Sequence, residues 1–141
     1  MFKFLLYKLI IFFTFMSIAK HAISENYELK LTEDTINSFY HYISSDRKPL
    51  DRFLVTTDGS GTFVWICPQI LCFPSGETFY SKPCTKLNNK KPCKVFAVGR
   101  KVKARNQSNL KSSKLKEIQK FEQKNTLEEV RHDLKKLGFI N

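Results

Sequence analysis

The chain has 141 residues, with 24 Lys or Arg against 13 Asp or Glu and a formal net charge of +11. That length leaves room for one domain with appendages and excludes a large multidomain enzyme. Phe is abundant, with eight of the thirteen beyond residue 24, which supplies material for a core, although at this size covalent staples help. Such a charge favours anionic partners over cationic ones.

Residues 1–24 read as a secretory signal peptide. Lys3 and Lys8 make a positive start, Leu9 to Ala19 is an apolar run, and Ala22-Ile23-Ser24 offers small residues to a signal peptidase. A membrane-spanning helix needs roughly 20 apolar residues. Lys8 and Lys20 bracket fewer, so cleavage after Ser24 is expected and no permanent span remains after it. The first 24 residues hold three lysines and no acid, so the remainder carries +8.

A helix is predicted over residues 31–45, starting at Thr32, whose hydroxyl can accept from the free amides of the first turn. Glu33 and Asp34 suit the positive end of the helix dipole. Ile36, Phe39, Tyr40 and Ile43 form its apolar face, and Pro49 stops continuation beyond Lys48.

Residues 52–66 read as a β-hairpin. Arg52–Thr57 is the first strand, Asp58-Gly59-Ser60-Gly61 the turn and Thr62–Ile66 the return. A short helix is expected from about Glu77, with Phe79 and Tyr80 facing inward and Pro83 limiting its length. A further helical turn then carries Cys84 and Leu87. Cys93 opens the strand Lys94–Val98, and Gly99-Arg100 turns the chain into Lys101-Val102-Lys103.

Four cysteines in an exported chain read as two disulfides, for which three connectivities are possible. Local pairing, Cys67–Cys72 with Cys84–Cys93, is the expected one. Zinc is not expected, because C-x4-C followed by C-x8-C is not a pair of short knuckles. Neither metal nor cofactor is expected.

The order of a helix, Phe53-Leu54-Val55-x-x-Asp58-Gly59, an aromatic strand ending at Cys67, then Cys72, Cys84 and Cys93-Lys-Val-Phe-Ala-Val-Gly-Arg100 resembles a group of small exported bacterial proteins of uncharacterised function. Those proteins pair their cysteines and end on a Cys-x-x-(Phe/Tyr)-Ala strand. The resemblance covers about Leu31 to Lys103 and implies an envelope protein, with no activity to carry across. Its members often close the last strand with an aromatic. Here Lys103, Ala104 and Arg105 stand there, so that strand is expected to fray.

Residues 106–141 read as a basic linker and an amphipathic C-terminal helix. Leu115, Ile118 and Phe121 sketch a weak helix ended by Asn125. Thr126 with Glu129 makes a capping box, and Leu127, Val130, Leu134 and Leu137 form one apolar seam. The seam fits either docking on the chain's own domain or binding a partner. Gly138 is placed to end the helix, and Phe139 and Ile140 to fold back on it.

Enzyme chemistry needs a nucleophile–base pair or a metal constellation. Beyond the signal only His41 and His132 are present, in separate helices, and Asp51, Asp58 and Glu77 read as surface acids. The expected fold is α+β: a small antiparallel sheet of about four strands in two hairpins, an N-terminal helix, disulfide staples and a helical C-terminal tail. The expected division is a signal peptide (1–24), a disulfide-stapled domain (25–105) and a tail (106–141). The expected role is a non-enzymatic periplasmic or secreted protein binding an anionic envelope component or a protein. Its anion-binding face would carry Lys86, Lys90, Lys91, Lys94, Arg100, Lys101, Lys103 and Arg105. The alternative is an assembly partner acting through the C-terminal seam. Nucleic acid is not an expected partner for an exported chain.

Overall fold

The computed structural model describes residues 28–67, 76–106 and 112–141; the expected signal peptide and Cys72 lie outside them. The elements run α1 (Glu33–Ser44), β1 (Arg52–Thr56), β2 (Thr62–Trp65), α2 (Glu77–Leu87), β3 (Cys93–Val98), β4 (Lys101–Val102), α3 (Ser112–Ile118) and α4 (Leu127–Lys136). The four strands form one antiparallel sheet in the order β2-β1-β3-β4. The expected α+β architecture of two hairpins is therefore present. Helices α1 and α4 cover one face and α2 the other.

Helix α1 begins where expected, with the Thr32 hydroxyl accepting from the Thr35 amide at 3.4 Å. Its buried stripe is Ile36, Phe39, Tyr42 and Ile43. Tyr42 therefore takes the inward place expected of Tyr40, and its hydroxyl donates to the Asp51 carbonyl at 3.0 Å. Burial pushes the Tyr42 hydroxyl well above its ordinary pKa. Phe39 is the hub of the core, meeting the rings of Phe53, Phe96 and Phe121 edge-on at 5.2–5.3 Å between centroids.

The β1–β2 turn docks on the start of α1. Asp58 Oδ1 accepts from the Ser60 amide at 3.1 Å and from the Thr56 hydroxyl at 2.6 Å. Gly59 sits at φ +74°, and its carbonyl accepts from the Thr32 amide at 3.1 Å and the Thr35 hydroxyl at 2.8 Å. The turn thus supplies an acceptor to the positive end of α1.

Opposite β1, strand β3 carries a bulge. Phe53 pairs with Ala97 but Leu54 with Val95, so Phe96 is the extra residue, and Phe96 and Ala97 both reach the core under α1. Across the sheet Leu54, Tyr80, Cys84 and Cys93 pack under α2. The expected Cys84–Cys93 bridge is formed and ties α2 to β3. Cys67 is likewise a half-cystine, while the other half of its expected bridge lies outside the described residues.

Helix α2 differs from expectation. It is one helix that runs through Pro83 instead of two short pieces. Pro83 removes the hydrogen bond to the Phe79 carbonyl, but Tyr80 and Cys84 are buried one turn apart on the sheet side and hold the helix in place. Its Phe79, expected to face inward, is 53% exposed and lies against Trp65 and Tyr80 at 5.3 Å. Arg52 stacks over the Tyr80 ring at 4.0 Å.

The C-terminal stretch is part of the same core. Val130, Leu134, Leu137 and Phe139 are buried together with Phe39, Phe53 and Phe96, so the expected boundary at residue 105 does not separate two cores. Residues 119–121 run along the outer edge of β4, with the Val102 amide donating to the Gln119 carbonyl at 2.9 Å and the Phe121 amide to the Arg100 carbonyl at 2.8 Å. The strand itself ends at Val102, and Lys103 to Arg105, where fraying is expected, lie outside it. The capping box is present, with the Thr126 amide donating to Glu129 Oε2 at 2.8 Å and the Glu129 amide to the Thr126 hydroxyl at 3.3 Å. Gly138, at φ +81°, turns the chain so that Phe139 packs on Phe96 at 4.9 Å. Arg131 pairs with Glu33 and links α4 to α1. No helix among the described residues is long and apolar enough to cross a membrane.

Candidate functional site

The basic residues expected on one face fall into three groups. Lys91 and Arg100 belong to the scaffold. Lys91 pairs with Asp58 at 2.7 Å and donates to the Ser60 hydroxyl at 2.9 Å. This pairing comes first among the causes, with the Thr56 and Ser60 hydroxyls next, that hold the Asp58 carboxyl well below the usual carboxylate range. Arg100 donates to the Ile43 carbonyl at 2.8 Å and the Ser45 carbonyl at 2.7 Å, closing the C-terminus of α1. Neither is therefore free for a ligand.

Lys86, Lys90, Lys101 and Lys103 make the second group, exposed and without a side-chain partner among the described residues. They are not assembled into a site. Lys86 lies at the end of α2, and Lys90 follows it at φ +64°. Lys101 and Lys103 flank the buried Val102, so strand alternation turns them to the sheet face opposite α1.

Lys94 and Arg105 make the third group, and these the fold does bring together. Lys94 pairs with Val55 and stands two residues before Phe96, which puts it on the α1 side of the sheet. There, beyond the cover of the helices, a pocket of about 240 Å³ opens between β1, β3 and residues 104–106. Val55, Phe96 and Ala104 give its apolar wall; Thr57, Lys94 and Arg105 its polar rim. No described residue forms a side-chain hydrogen bond or ion pair with Lys94, Arg105 or the Thr57 hydroxyl.

Asn106 fixes this rim. Its Nδ2 donates to the Leu29 carbonyl at 2.6 Å and the Gly138 carbonyl at 2.8 Å, and its Oδ1 accepts from the Leu29 amide at 3.1 Å. All the hydrogen-bonding capacity shown for this amide goes into joining the 104–106 segment to the chain before α1 and the end of α4. Read as the first residue of a linker, Asn106 gave no sequence signal of this role.

The partner-binding seam is corrected by burial. Val130, Leu134 and Leu137 lie in the core and only Leu127 is partly exposed, because the helix packs on α1 through the Phe-rich cluster. Of the acids, Asp51 is 1% exposed instead of a surface group. Its Oδ1 accepts from the Cys67 amide at 2.9 Å and its Oδ2 from the Lys48 amide at 3.0 Å. It serves as a buried tie between the end of β2 and the loop before β1. His41 and His132 are exposed on α1 and α4. Among the described residues no group of His, Cys, Asp and Glu is placed to hold a metal. Comparison with known protein families, with curated proteins and with solved structures returns no match.

Proposed function

We propose that this chain is an exported, non-enzymatic protein that binds an anionic component of the cell envelope at the pocket between β1, β3 and residues 104–106. The observation that carries the reading is the convergence of two cations, Lys94 and Arg105, neither of which has a side-chain partner among the described residues, on one concave, partly apolar surface. A solvated charge needs no pocket, whereas a ligand site joins apolar walls to a few placed polar groups. The other lysines contribute a positive field that brings an anionic surface closer.

Two measurements test this reading. Intact mass of the protein from its native cells, with thiol alkylation before and after reduction, should show a chain starting at Glu25 that takes label only after reduction. A full-length chain with labelled thiols would count against export. Retention on an anionic matrix should be strong at low salt and fall steeply as ionic strength rises. No retention at low salt would remove the binding claim.

A further inference from the structure

The space the pocket encloses is small. Its volume is about 240 Å³. That lies below the size of ordinary small-molecule sites, so what enters is a headgroup or a small ester.

Its donors indicate which one. Arg105 offers a planar fork that matches two oxygens of one anion, Lys94 a mobile point charge, and Thr57 a hydroxyl. A carboxylate has two oxygens and one charge. The guanidinium alone would satisfy it, leaving Lys94 and Thr57 without a role. A phosphoryl group attached by a single ester has three terminal oxygens and a charge near −2 at neutral pH. It matches the two cations in charge and the three side chains in number of acceptors. The wall of Val55, Phe96 and Ala104 then lies against the first carbons beyond the ester oxygen.

Resting on the anion-binding reading above, we infer that the pocket receives the phosphoryl group of a phosphate monoester. The same chemistry occurs in a free small ester and in a monoester lipid headgroup. The rim is fixed by Asn106 and by the strands, so binding needs no rearrangement of the sheet.

The test uses the oxidised full-length chain after removal of its signal, titrated with butyl phosphate, inorganic phosphate and butyrate at constant ionic strength and followed by amide NMR. Expected are saturable shifts at Thr57, Lys94, Arg105 and Asn106 with butyl phosphate, weaker ones with inorganic phosphate, and no saturation with butyrate. Arg105→Gln and Lys94→Gln should each weaken butyl phosphate roughly tenfold, the effect of losing one charge-assisted contact. Lys86→Gln should leave binding unchanged. A parallel arm uses neutral vesicles with and without phosphatidic acid. Binding to phosphatidic acid vesicles that is tighter than to butyl phosphate and is lost in Lys94→Gln and Arg105→Gln assigns the headgroup, and equal or weaker binding assigns the free ester; either outcome supports the inference. Equal shifts with butyrate, or unchanged binding in both pocket variants, would overturn it. If retention on an anionic matrix persists at the same time, only the phosphoryl assignment has failed. If retention is absent too, the anion-binding reading has failed with it.

Discussion

Leu134→Ala separates a helix that is part of the core from one held ready for a partner. Leu134 is fully buried, in a cluster that also contains Phe39, Phe96, Val130 and Phe139. Truncating a buried Leu to Ala costs about 2–5 kcal/mol, combining lost transfer energy with the cavity left behind. Against a net stability of about 5–15 kcal/mol that is a large fraction. The melting temperature should fall by roughly 10 °C or more. Urea unfolding of the oxidised protein measures the change directly: the midpoint should drop while the slope stays the same. Lys135→Ala, on the exposed side of the same helix, should remain within about 0.5 kcal/mol of the parent. Equal midpoints for Leu134→Ala and Lys135→Ala would refute the placement of α4 in the core.

Gly59→Ala should be among the most destabilising single-methyl additions, since its Cβ would stand 1.7 Å from the Lys30 carbonyl oxygen on a backbone already at φ +74°. Thermal unfolding checks it, and an unchanged melting temperature would mean the turn is not docked on α1. The double variant Cys84→Ser with Cys93→Ser opens the bridge between α2 and β3. For a loop this short, loop entropy sets the cost at about 2–3 kcal/mol, read as a lower urea midpoint. Asp58 gives a pH signature. Its carboxyl is held below the usual range chiefly by Lys91, so the stabilisation is present above the unfolded value near pH ~4 and is lost as pH falls through the lower folded value. Both side chains are nearly half exposed, so the effect at pH 7 should be at most about 1 kcal/mol. The gap in melting temperature between the parent and Lys91→Ala should narrow as pH is lowered from 5 towards 2.

Local signals in the sequence were legible where local chemistry decides the outcome. The Thr32 cap, the Asp58-Gly59 turn, the Thr126–Glu129 box and the Gly138 stop each depend on residues within a few positions of one another, and each stands where expected. The strands were readable from their β-branched and aromatic runs, and with them the four-stranded sheet. What remained hidden depends on distant partners. The spacing at 36–43 points to Tyr40 as the inward ring, but Tyr42 is the one buried, with its hydroxyl on the distant Asp51 carbonyl. Pro83 reads as a helix stop until Tyr80 and Cys84 are seen gripping the sheet. Nothing near Asp51 announces that the amides of Lys48 and Cys67 converge on it. Along the sequence the basic residues from Lys86 to Arg105 form one run. Strand alternation and the two scaffold pairings divide it, leaving Lys94 with Arg105 at the pocket.

A charge-matched comparison puts the site to the most direct test. Lys94→Glu with Arg105→Glu and Lys101→Glu with Lys103→Glu change the net charge equally, but the first pair alters the pocket and the second the opposite face of the sheet. Binding of both variants and the parent to vesicles containing phosphatidic acid, at one fixed salt concentration, is the measurement. Binding abolished in the pocket pair and only moderately reduced in the other is the expected result. Equal losses in the two would contradict it, because net charge alone would then account for the attraction.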